Sequence, residues 1–161
     1  GIFRHFPTKQ DLWLAVAAQI AQTMTDAWEI ALATETIPQK RLTALIPVQL
    51  RQIEAHPAIP AILHSRELHI ENAALRAKFV ALMTQFQTLL VEILTEGSAR
   101  GLFRADLAPK DAAILLISLV QGLAIRWSLG QRVFSLEDEG SRLLACQLDL
   151  FRPLPALDKT T

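Results

Sequence analysis

Apolar residues in this chain recur three and four positions apart almost throughout, and the strict alternation of a half-buried strand does not occur, so the pattern predicts helices from end to end. Phe6-Pro7 disfavours helix at Phe6, and Thr8 with Asp11 three residues on approaches a capping box, so a long helix is expected from Lys9 to about Thr34. Two stripes run along it, one of Leu12, Val16, Ile20, Ala27 and Ile30 and an adjoining one of Trp13, Met24, Trp28 and Leu32. A second helix is expected over residues 39–55, with Pro47 kinking it or splitting off its first turn, and His56-Pro57 closing it. A shorter helical segment over residues 58–70 precedes a long helix over 72–100, with Leu75, Phe79, Leu82, Phe86, Leu89 and Ile93 at heptad-like spacing and Gly101 as the left-handed stop. Pro109 opens a helix that runs to Gly130, and Ser135 with Asp138 caps a last one from Leu136 to Phe151.

The helix at 109–130 has almost no polar face and so must be buried all round. Gln121 and Arg126 inside it, Lys110 and Asp111 at its start, and no comparable neighbour argue against a membrane span. The next helix also carries a broad apolar stripe. Surplus apolar surface on adjacent helices points to a two-fold homodimer in which they pair with their symmetry mates as a four-helix bundle, Gly122 permitting close approach. The residues assigned to that interface are Leu116, Val120, Leu123, Trp127, Leu143, Leu144 and Phe151. An internal core within a monomer is the competing reading.

The 161 residues, 51% hydrophobic and 20% charged, fit one domain. A formal net charge of zero excludes a whole-chain electrostatic attraction to nucleic acid or anionic membranes, so any nucleic-acid role must be local. The single Cys146 cannot form an internal disulfide and is expected to be a small buried hydrophobe, and with no secretory signal the expected compartment is the cytoplasm.

Candidate chemistry is sparse. The glycines are scattered rather than clustered into a phosphate loop, and zinc-type Cys and His pairs are missing, so no cofactor and no metal are expected. His64 and Glu67 lie one helical turn apart, which keeps open an all-helical enzyme or metal-binding bundle as an alternative. Trp28 and Met24 on the first long helix and Phe79, Met83 and Phe86 on the second can face one another, either as a solid core or around an apolar cavity. An effector pocket is placed among Trp28, His64, Phe79, Met83, Phe86 and Gln121, and a plain helical interaction module with a solid core is the remaining alternative.

The opening run Ile2-Phe3-Arg4-His5-Phe6-Pro7-Thr8-Lys9-Gln10-Asp11-Leu12 resembles the segment joining the DNA-binding head to the regulatory body in the tetracycline-repressor (TetR) family of bacterial transcription regulators. Gly101 to Pro109, followed by a greasy helix holding Gln121-Gly122-Leu123, is similar to the regulatory domain of the same family. The resemblance implies an all-α, TetR-like C-terminal regulatory domain whose last two long helices form the dimeric bundle, and a regulator, usually a repressor, rather than an enzyme. It implies that residues 1–7 are the end of a recognition helix and its turn, with Gly1 a fragment boundary, and that 8–152 form the effector-binding and dimerisation domain, while Arg152-Pro153-Leu154-Pro155 ends order by composition and leaves 153–161 as an expected disordered tail. By the same resemblance Phe3, His5 and Lys9 touch the DNA backbone, although Phe3 stands where the family has Tyr and lacks the hydroxyl that would donate to a phosphate. The implied partners are a second copy of the chain, operator DNA through an absent N-terminal domain, and a largely apolar small molecule whose binding respaces the DNA-binding heads.

Overall fold

Thr8 starts the first helix. Its backbone is extended and its hydroxyl accepts the Asp11 amide at 3.1 Å, satisfying one of the amides that a helix N-terminus leaves unpaired. The computed structural model describes residues 8–156, and among them every regular element is an α-helix. These are α1 Lys9–Leu32, α2 Pro38–Ala55, α3 Ala58–Leu63, α4 Arg66–Glu71, α5 Ala73–Ala99, α6 Pro109–Leu129 and α7 Leu136–Phe151.

Two local expectations change. The segment over 58–70 divides into two short helices, because Ser65 leaves the helical conformation and caps α4, its hydroxyl accepting the Leu68 amide at 3.3 Å. Pro47 does not split α2, which runs unbroken through it. Leu45, Ile46 and Leu50 around that proline are fully buried, and their packing outweighs the one backbone hydrogen bond that proline removes.

The long helices close into a ring in which α1 packs on α2, α2 on α7, α7 on α6, α6 on α5, and α5 back on α1; α2 also reaches α5 and α6 across the middle. The core therefore lies around α2. On α1 the stripe containing Met24 and Trp28 faces inward, while Val16 and Ile30 of the other stripe are exposed.

Polar contacts fix α2 against α7. The Arg51 guanidinium grips Glu137 with two hydrogen bonds, of 2.6 and 3.0 Å, and Glu54 accepts the Glu137 backbone amide at 2.6 Å in the first turn of α7. The Arg51 contact holds the Glu137 carboxyl below the usual carboxylate range.

The turn between α5 and α6 is set by Gly101, whose φ of 71° lets the Leu102 amide reach the Gly97 carbonyl at 2.9 Å. Phe103 then folds its ring onto Gly97, where any side chain would overlap it, and meets Phe151 edge-on at 6.4 Å. By length and composition alone both α5 and α6 are long and apolar enough to cross a bilayer, so the expectation that α6 has no comparable neighbour is corrected. Residues 153–156 carry no regular secondary structure, and the remainder of the expected tail lies outside the described residues.

Candidate effector cavity

Trp28 is 2% exposed, yet its indole N–H is satisfied: it donates to Gln49 Oε1 of α2 at 2.7 Å. The same Gln49 amide turns its nitrogen towards Met24 Sδ, 3.8 Å away. The Trp28 ring packs on Phe86 of α5 with centroids 5.1 Å apart and planes tilted by 41°. Phe79, two turns earlier on α5, stands against His69 of α4 edge-on at 6.0 Å.

Behind these rings the helices do not close. A cavity of ≈ 290 Å³ lies between α1, α2, α3, α5 and α6, and its wall includes all of the residues singled out for a pocket: Trp28, His64, Phe79, Met83, Phe86 and Gln121. His64, at the C-cap of α3, and Met83 are exposed and belong to the mouth, whereas Trp28, Phe79 and Phe86 are buried. Sequence reasoning missed Gln49, Ile53, Ile59 and Ile117 among the other wall residues, and assigned Val120 to a partner although it lines this cavity. Gln49 was signalled in the sequence as a polar residue set within the buried stripe of Leu42, Leu45, Ile46, Leu50 and Ile53. The α3 residues carried no such signal, because a helix of six residues has no period to read.

The wall is apolar apart from Gln49, His64 and Gln121, and it carries no Asp, Glu, Lys or Arg. Glu67 lies on α4, exposed and away from the cavity. Among the described residues no group of three or more His, Cys, Asp and Glu side chains is arranged to hold a metal.

The residues assigned to the dimer interface require a correction. Leu116, Val120, Leu123, Trp127, Leu144 and Phe151 are each 6% exposed or less within the single chain, and Leu143 alone of the set is partly open. Trp127 is further committed by its indole N–H, which donates to the Phe134 carbonyl at 3.1 Å in the turn between α6 and α7. The physical reason is that α6 has two apolar stripes, and the one picked out faces α2, α5 and α7. The other is exposed, with Ile114 at 51%, Leu115 at 46%, Ile125 at 37% and Leu129 at 81%. It flanks an open groove between α6 and α7 lined by Leu119, Gly122, Arg126 and Leu143 among others. Cys146, expected to be buried, is exposed, between Leu143 and the 68% exposed Leu150 along α7. Lys9 is exposed at the first position of α1; Phe3 and His5 lie outside the described residues.

The described residues thus form a ring of helices around an apolar cavity, with a second apolar face left open. Residues 17–145 match the TetR_C_4 family, described as YsiA-like protein, C-terminal region, and the chain belongs to the TetR family of transcription regulators. Among curated relatives, the nucleoid occlusion factor SlmA of Shewanella pealeana is 27% identical over 122 residues, which are 76% of this chain and 62% of that protein. The chain thus spans less than two thirds of the curated relatives it matches. Among solved structures, the ketosteroid transcriptional regulator KstR2 of Mycobacterium tuberculosis superposes with a TM-score of 0.78 at 18% identity, over 93% of this chain and 76% of that one. The fatty acid degradation regulator FadR of Bacillus halodurans gives 0.76 at 20% identity, over 91% and 76%. FadR of Bacillus subtilis, solved in complex with stearoyl-CoA, gives 0.73 at 18% identity, over 91% and 78%. At these identities the likeness is one of fold.

Proposed function

We propose that this chain is the effector-binding and dimerisation region of a cytoplasmic, ligand-responsive DNA-binding transcription regulator, acting as a homodimer and most simply as a repressor. The observation that carries the reading is the ≈ 290 Å³ apolar cavity with α1 as one of its walls. Met24 and Trp28 face the cavity from α1, while Lys9 begins the same helix about 28 Å away at 1.5 Å of rise per residue. A ligand that presses on Met24 and Trp28 therefore moves a rigid rod whose far end adjoins, in sequence, the segment resembling the end of a recognition helix. At that end His5 and Lys9 would position the protein on DNA phosphates without reading bases.

The open face of α6 and α7 supports a two-fold partner. Ile114, Leu115, Ile125 and Leu129 are exposed apolar residues on one face of α6, of the kind that marks an interface, and a side chain at Gly122 between them would meet empty space in the single chain, leaving room for close approach. A neighbour of the same fold was solved in complex with stearoyl-CoA, a molecule with a long apolar chain, which supports a ligand-binding reading of the scaffold without carrying that ligand to this chain.

The test is a promoter reporter screened against small apolar compounds. A compound that relieves repression with the wild-type regulator and fails with Met83→Trp, while the variant keeps its helicity, supports the reading. Undiminished response in Met83→Trp counts against this cavity as the effector site.

A further inference from the structure

The cavity wall holds no charged side chain to neutralise an ionic ligand. Of its polar residues, Gln49 is committed to Trp28, and His64 is exposed at the mouth. Gln121 is the half-buried amide left, with no hydrogen-bond partner among the described residues, and it can both donate to and accept from a guest. A carboxylate or phosphate drawn into this space would lose water and meet no counter-charge, which is strongly unfavourable. Size adds a second restriction. At roughly 30 Å³ for each water-sized group, ≈ 290 Å³ holds about ten non-hydrogen atoms.

Trp28 decides why the space stops there. A second concavity of ≈ 510 Å³ runs along the outer side of α1 and α5, lined by Thr25, Thr84, Gln85 and Thr88 among others, and Trp28 belongs to the wall of both. Trp28 is thus the residue common to the two spaces, its indole held by Gln49 and by the Phe86 ring. Truncating it is expected to join the inner apolar chamber to an outer groove that also carries Glu29, Leu32 and Leu89.

We propose that the cavity selects an uncharged, mainly apolar molecule of about ten non-hydrogen atoms, oriented by Gln121, and that Trp28 sets the limit on its length. The proposal rests on the cavity being the effector site.

Isothermal titration of the purified chain with primary alcohols from hexan-1-ol to tetradecan-1-ol, and with decanoate, tests it. In the wild type each added methylene tightens binding about threefold to fourfold until the chamber is full near decan-1-ol, after which the gain stops. Decanoate binds about tenfold or more weakly than decan-1-ol, and Gln121→Leu weakens decan-1-ol about fivefold. Trp28→Ala extends the methylene gain to tetradecan-1-ol; Trp28→Leu, which keeps an apolar filler, does the same should the alanine variant fail to fold. The inference is overturned if decanoate equals decan-1-ol, if the wild-type gain continues to tetradecan-1-ol, or if folded Trp28 variants keep the wild-type break. Those outcomes leave the effector site standing. Absence of any alcohol binding to the wild type overturns the effector site and this inference together.

Discussion

Gly122 offers a substitution whose effects on the single chain and on the dimer have opposite signs. It sits within α6, and a Cβ built on it meets nothing within 4 Å, so Gly122→Glu creates no clash in the protomer. Replacing glycine in a helix interior stabilises the helix by about 0.5–1 kcal/mol, and the new carboxylate stands one turn before the exposed Arg126, adding a few tenths. Across a two-fold axis the same residue appears twice, in the groove between α6 and α7 that the proposed interface would close. Two carboxylates stripped of water there oppose association by several kcal/mol, and every 1.4 kcal/mol is tenfold, so the dimer dissociation constant should rise at least about a hundredfold. Sedimentation equilibrium reads the second effect. Urea melts at concentrations too low for dimers read the first, and melts at high concentration should reverse the ranking, because dimerisation stabilises only the wild type there. Unchanged association in Gly122→Glu refutes the placement of the interface, and a loss of stability at every concentration refutes the claim that Gly122 faces open space.

Leu123→Glu and Leu144→Glu should behave differently, failing to fold rather than merely dissociating, since both side chains are 6% exposed or less inside the protomer; circular dichroism at low concentration checks this. Gln49→Leu leaves the buried Trp28 N–H without its acceptor and should cost about 1–3 kcal/mol in denaturant unfolding. The Arg51–Glu137 pair should be felt as a pH dependence. Arg51 lowers the folded-state value of Glu137 below its ordinary 4.5, so the stabilisation is present above that pH and is lost as the pH falls through the lowered value. Water screens Arg51, which is 60% exposed, so the effect is about 1 kcal/mol or less, and melting curves of wild type and Arg51→Ala should differ at neutral pH and converge in acid.

The helices were legible in the sequence because their ends are chemically marked. Thr8, Ser135, Pro109 and Gly101 each do at a helix terminus what their residue type does best, and the long apolar stripes between them have one reading. The pocket residues were legible as faces, since Phe79, Met83 and Phe86 share a phase on α5 and Met24 and Trp28 share one on α1, but hollowness was not, because periodicity says where a side chain points and not whether it meets another. The residues picked for the interface came from the inner stripe of α6 for a related reason. A helix apolar on two sides, as α6 is, leaves open which side meets its own chain, and only the packing of Leu116, Leu123 and Trp127 against neighbouring helices decides it. Cys146 followed the same error on α7. The short helices α3, which contributes Ile59 to the cavity wall, and α4, whose His69 stands against Phe79, were blurred into one because the Ser65 cap that separates them looks like any serine in a polar stretch.

On this reading α1 carries the state of the cavity to its own N-terminus. Hydrogen exchange along α1, with and without decan-1-ol, reads that coupling. Exchange should slow around Met24 and Trp28 on binding and change in the turns after Lys9, where no ligand can reach. Binding established by calorimetry with exchange unchanged along the whole of α1 would contradict it, leaving a cavity that holds a molecule and tells nothing else about it.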